Sequence, residues 1–217
     1  MALGAGPDRL TEMVHPQRIA LVDPGEYIPT ADERVILAVP WASFEAILAL
    51  RGDRASPRMA YLDGALELMS PSKSHQSIKS YLGRLIEVFC EERGIAFTPY
   101  GSWTLKAAPE DTAIEPDECY LIGDDQTRDR PDLAIEVIWT SGGLKKLEIY
   151  RRLGVREVWI WRKGAIEVRV LRGDAYVEQH HSDALAGVDL PRIAALLDAP
   201  TAMDAMRTFR AELRGKP

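Results

Sequence analysis

The run from Asp132 to Trp139, DLAIEVIW, constrains this chain more than any other segment. It is apolar at odd and even positions alike, as a strand covered on both faces of a sheet must be. One charge interrupts it, Glu136. An unpaired carboxylate in such surroundings costs several kcal/mol or gives up its charge, so Glu136 requires a cation. The following residues predict a helix over 144–153, stopped by Gly154, and then a further strand, VREVWIW. Strand, helix and strand in close succession make the chain mixed α/β.

The rest of the pattern agrees. RMAYL and LELMS read as a hairpin turning at Asp63-Gly64. The longest helix is expected over about 74–93, where Ile78, Leu82, Leu85, Ile86 and Phe89 repeat at helical spacing and Gly94 supplies a left-handed stop. IAFTPYGSWTLKA predicts one or two strands, IEPDECYLI another, and AIEVRVLRGDAYVE a terminal hairpin around Gly173-Asp174. Residues 1–35 read as an extended leader punctuated by prolines, followed by a short helix over 40–50 closed by Gly52. Two short helices separated by Pro200 end the chain. The expected division is a leader with a short helix (1–57), a central domain (58–190) and a C-terminal helical extension (191–217).

Composition excludes several classes. The 217 residues are 46% hydrophobic, ample for a buried core. Lys and Arg number 27 against 33 Asp and Glu, a net charge of −6. That excludes a wholly basic nucleic-acid coat, which neutralises phosphate with surplus cations. It leaves room for an enzyme whose carboxylates hold metal ions. No apolar run approaches the roughly 20 residues that span a bilayer. The opening MALGAGPDRLTEM has no secretory pattern, so a cytoplasmic protein is expected. Cys90 and Cys119 stand apart without a CxxC pair, which argues against structural zinc or a disulfide framework.

Three positions stand out by where they fall. Asp117 follows Pro116 at the start of a strand whose alternation groups it with Cys119 and Leu121. Glu136 lies inside the apolar strand. Lys146 comes early in the next helix, on the side of Tyr150 and Leu153, whereas Lys145 sits about 100° round and reads as solvated. Two carboxylates from neighbouring strands and a lysine suit a hard divalent cation that keeps waters and is completed by substrate phosphate. Each position also has an ordinary reading: salt bridge, strand end or snorkelling lysine.

The strings YLDGALELMSP with His75, GSWTL, IEPDECYLI, RPDLAIEV and TSGGLKKLEIYRRLGVREVWIW closely resemble the Uma2 family over about residues 61–171. Uma2 is a bacterial group of endonuclease-like proteins in the PD-(D/E)XK superfamily, also known as DUF820. The resemblance implies a restriction-endonuclease-like αβββαβ core, with a mixed central sheet flanked by helices. It also implies Mg²⁺ or Mn²⁺ as cofactor and nucleic acid, DNA first, as substrate. Asp117 matches the motif aspartate and Glu136 the acid of the following strand, both as metal ligands. The superfamily's lysine slot two residues further is Ile138 here, and the matching lysine is Lys146 on the next helix. The turn carries Ala65 where relatives often have an acid, and Gln76 follows His75 where relatives often have a carboxylate.

Glu67 could therefore reach the pocket, or it could serve as a solvated partner for a cation. His75 is either a site residue or a capping and packing residue. Asp132 either meets the pocket rim or starts its strand. Trp159 and Trp161 are core or, less simply, a stacking surface; Trp139 is a candidate substrate contact. His180-His181 reads as surface. The expected activity is metal-dependent hydrolysis of nucleic-acid phosphodiester bonds, with a homodimer suited to cutting two strands. The rivals are a non-catalytic binding or regulatory module on the same fold, and a hydrolase of another phosphodiester.

Overall fold

A computed structural model describes residues 31–139 and 142–215. In chain order the elements are β1 (Glu33–Ala38), α1 (Trp41–Arg51), β2 (Arg58–Leu62), β3 (Ala65–Ser70), α2 (Lys73–Arg93), β4 (Phe97–Pro99), β5 (Leu105–Ala107) and β6 (Thr112–Ile114). Then follow β7 (Glu118–Ile122), β8 (Leu133–Ile138), α3 (Lys146–Arg152), β9 (Glu157–Arg162), β10 (Ala165–Arg172), β11 (Ala175–Gln179), α4 (Leu190–Leu196) and α5 (Ala202–Leu213).

The strand around Glu136 is central, as its apolar run demands. β8 lies inside a six-stranded sheet of order β11-β10-β9-β8-β7-β4, parallel to β9 and antiparallel to β7. A parallel neighbour needs a crossover, and α3 supplies it. Taken in sequence, α2, β4, β7, β8, α3 and β9 form the expected αβββαβ core around a mixed sheet.

The two faces of β8 enter two cores. Leu133, Ile135 and Val137 join Trp159, Trp161 and the α2 residues Leu82, Leu85, Ile86 and Phe89. Ala134 joins Val158, Ile160 and the α3 residues Ile149 and Tyr150. Each fully buried side chain of this kind contributes roughly 1.5–3 kcal/mol relative to exposure. Trp159 and Trp161 are thus core residues, not a stacking surface.

A second sheet of order β1-β3-β2-β6-β5, antiparallel throughout, was not expected from the sequence. α1 covers it through Phe44, whose ring stacks on Tyr61 at 5.1 Å, with Trp41 edge-on to Tyr61. Three expectations change accordingly. IEPDECYLI is two strands in different sheets, because Pro116 cannot donate to a ladder and the EPD segment carries the chain across. Residues 33–57, read as leader and short helix, are bound into the domain, since β1 pairs with β3 along its whole length. Residues 1–30 lie outside the described residues. The C-terminal helices are likewise part of the core, through Ile193, Leu196, Ala205 and Phe209. Positions 57 and 190 therefore do not mark packing boundaries. α3 is shorter than expected, starting at Lys146 instead of Leu144.

Candidate active site

The site begins where β3 hands over to α2. Ser72 caps the helix, its hydroxyl accepting from the His75 backbone N–H at 3.2 Å. Asp32 secures the same turn from a distant part of the chain. Its Oδ1 accepts from the Ser72 N–H at 2.9 Å and its Oδ2 lies 3.0 Å from His75 Nδ1. Burial raises the Asp32 carboxyl, but the His75 and Ser72 hydrogen bonds outweigh it and hold the pKa at about 2. His75 is therefore buried, and its ring is oriented by Asp32.

The other ring nitrogen faces Asp117. His75 Nε2 lies 2.9 Å from Asp117 Oδ1 but outside hydrogen-bonding geometry, leaving a buried polar atom without a partner. Asp117 leads into β7 and brackets Glu136 on the neighbouring strand. Its N–H donates to the Ile135 carbonyl at 3.1 Å, and its Oδ2 accepts from the Val137 N–H at 2.6 Å. Arg58, opening β2, makes a buried ion pair with Asp117 Oδ1. Burial lowers the Arg58 pKa, opposed first by the charge of Glu136 and then by those of Glu118 and Glu115.

Glu136 has the cation its strand required. Lys146 Nζ lies 2.5 Å from Oε2, and the Tyr150 hydroxyl donates to Oε1. Both come from one turn of α3, at i and i+4. Burial, then the Glu136 charge, pushes the Tyr150 phenol well above its ordinary range, so it remains a donor. Lys146 stays partly accessible, whereas Lys145 is exposed.

Glu67 is buried on β3. Its carboxylate takes Arg34 Nε at 3.1 Å and the Leu144 N–H at 2.7 Å, tying β1 and β3 to the segment before α3. That segment opens with Gly143 at φ 101, where a side chain would collide with Glu67 Oε2. Arg34, Glu136, Trp139, Lys145, Lys146 and Arg162 are among the residues that line a cleft of about 870 Å³ here.

The structure thus joins Asp117 to His75 and Glu136 to Lys146, and it ties Glu67 to Arg34 and Leu144, which line the same cleft. Among the described residues, no three His, Cys, Asp or Glu side chains converge as a ready-made metal cage. Asp32, Arg58 and Tyr150 were not singled out from sequence as functional residues. Asp132 starts its strand, accepting from the Ile122 N–H at 2.8 Å and pairing with Arg128. Glu115 and Glu118 are held by Arg51 and Lys79 respectively. His180 and His181 are exposed. Both cysteines are free and buried, and burial pushes their thiols up to about 11 for Cys90 and about 12 for Cys119. No helix among the described residues is long and apolar enough to cross a membrane.

In kind, these donors fit a hard divalent cation. Asp117 and Glu136 offer carboxylate oxygens from adjoining strands. His75 Nε2, a buried polar atom without a hydrogen-bond partner 2.9 Å from Asp117 Oδ1, is a third atom that a cation beside Asp117 would satisfy.

A solved structure with a similar fold is a putative nuclease belonging to DUF820 from Anabaena variabilis ATCC 29413. It is 17% identical, and the match covers 74% of this chain and 96% of that one at a TM-score of 0.47. No curated protein matches the chain. The family Uma2, described as "putative restriction endonuclease", matches residues 41–201. That span takes in both carboxylates, His75 and Lys146, and the chain belongs to the Uma2 family.

Proposed function

We propose that this protein is a Mg²⁺- or Mn²⁺-dependent endonuclease that hydrolyses phosphodiester bonds, with DNA as substrate. The observation that carries the reading is the placement of Asp117 and Glu136. Both are buried on adjoining strands, each is balanced by cations, and Lys146 reaches Glu136 from the cleft side. Asp117 and Glu136 would hold the ion, with His75 Nε2 beside Asp117. Bound there, the ion would lower the pKa of a water and offset charge developing on the phosphate.

The chain's own residues have separable tasks. Tyr150 fixes the Glu136 carboxylate and Asp32 fixes the His75 ring, so neither ligand has to be ordered when substrate arrives. Lys146 is a point charge at the cleft, suited to a non-bridging phosphate oxygen and to orienting the nucleophile. It does from α3 what a lysine at position 138 would do from β8, where Ile138 stands. The test is cleavage of plasmid DNA in Mn²⁺. The unaltered protein should nick or cut, and Asp117→Ala should abolish it; cleavage surviving that substitution would remove Asp117 from the chemistry.

A second reading rests on its own observation. Arg58, the Val137 N–H, Lys146 and Tyr150 already occupy both carboxylates, as expected of a non-catalytic binding module that keeps the fold. Titration calorimetry separates the two: heat of Mn²⁺ binding that disappears in Asp117→Ala supports the enzyme, and no heat supports the module.

A further inference from the structure

Hydrolysis at Asp117 and Glu136 gives no task to Trp139, three residues past Glu136. This indole is 40% exposed, although its apolar area would favour burial. It is nevertheless held in one orientation. Its ring lies parallel to that of Trp161, with centroids 5.8 Å apart and planes within 7°. Trp161 is buried in the core, so it serves as a fixed backing that sets the plane of the exposed ring.

The charged surroundings are mainly cationic. Along with Trp139, the cleft is lined by Arg34, Lys145, Lys146, Arg162 and Lys163, against the carboxylates of Glu136 and Glu148. Lys145, Arg162 and Lys163 are exposed, and none has an ion-pair partner among the described residues. Lys163 sits at φ 49 and Gly164 at φ 82, in the two-residue turn between β9 and β10. Asn or Gly suits the first of these positions better, and a lysine there bears left-handed strain. That strain leaves a cation on the rim of the cleft. The local balance is thus opposite to the chain's net −6.

A flat π-surface beside a row of cations is what an unpaired nucleotide strand requires, with bases stacking and phosphates following the charge. A base inside a duplex has both faces covered by its neighbours and cannot offer one to the indole. We propose that Trp139 is a base-stacking platform and that the cleft binds a single-stranded segment of nucleic acid. Arg162 and Lys163 would sit on its backbone, and the segment would lead toward Lys146. This rests on the nuclease reading of the same cleft and names the strand form it takes.

The test uses the full chain in EDTA, so that nothing is cut, with two fluorescein-labelled probes: oligothymidylate of about 12 nucleotides and a duplex of equal length. Anisotropy should show tighter binding of the single strand. Trp139→Ala should weaken it about 5- to 150-fold, Trp139→Phe by less, and duplex binding should change less than about twofold. A probe carrying 5-iododeoxyuridine should cross-link to Trp139 in the unaltered protein, a readout independent of how the variants fold. Unchanged single-strand affinity in Trp139→Ala, or a cross-link mapping elsewhere, would overturn the platform while leaving the nuclease reading intact. Failure of the unaltered protein to bind the single strand would likewise overturn the platform, whereas the nuclease reading stands or falls on Mn²⁺-dependent plasmid cleavage.

Discussion

Replacing Arg58 with methionine should cost more stability than any surface change and should make the remaining stability depend on divalent metal. Arg58 and Asp117 are buried together, at 5% and 1% side-chain exposure. Removing one partner of such a pair leaves an uncompensated charge and costs roughly 3–5 kcal/mol. Here the lower end applies, because Asp117 keeps the Val137 N–H at 2.6 Å. For a chain of this size about 3 kcal/mol lowers the melting temperature by roughly 6–12 °C. A Mn²⁺ ion at 100 times its dissociation constant returns about 2.7 kcal/mol, nearly the whole loss. Thermal unfolding followed by circular dichroism, in EDTA and across a Mn²⁺ titration, measures both effects. Arg58→Met combined with Asp117→Asn should recover much of the loss, since the buried charge is then gone. A variant melting within about 2 °C of the parent in EDTA, or gaining no more from Mn²⁺ than the parent does, would refute the reasoning.

Other expectations follow from single contacts. Tyr150→Phe deletes the donor on Glu136 Oε1 and should cost about 1.5–3 kcal/mol in urea unfolding, since a buried ionised group loses a hydrogen bond. Asp32 has a folded pKa of about 2, below its ordinary value of 3.8, so its stabilising contribution is present above pH 4 and is lost as the pH falls toward 2. Asp32→Asn should flatten the stability profile in that window and leave its slope above pH 5 unchanged. Gly143→Ala places a methyl group against the Glu67 carboxylate at a left-handed backbone position, and should cost about 1–3 kcal/mol with a weakened Mn²⁺ response. If three to five cleft cations contact phosphate, single-strand affinity should fall with log salt at a slope of about −2 to −3.5.

How much of this was legible in the sequence depended on how far apart the partners lie in the chain. DLAIEVIW announced a central strand because both of its faces are buried, and Glu136 announced a cation because that environment demands one. Lys146 was identifiable since α3 follows directly and brings it back over the same strand. Tyr150 was counted on the apolar side of that helix, which is correct, but nothing in its spacing reveals a hydroxyl aimed at Glu136. Arg58 and Asp32 reach Asp117 and His75 from 59 and 43 residues away, at distances no local periodicity reports. The second sheet was missed for a related reason. β5 and β6 are three residues each, too short to alternate visibly, and their order in the sheet is set by β6 pairing with β2 and β5 with β6. The net charge of −6 was informative only as a total, because it conceals a cleft in which cations outnumber carboxylates.

The most direct test of the central claim is a crystal structure of the protein with Mn²⁺ bound. The expected result is anomalous density between Asp117 and Glu136, with the Arg58 guanidinium moved off Asp117, His75 Nε2 turned to the ion and Lys146 still at the cleft. Density absent at saturating Mn²⁺, or present only at surface carboxylates while Arg58 remains paired with Asp117, would contradict it.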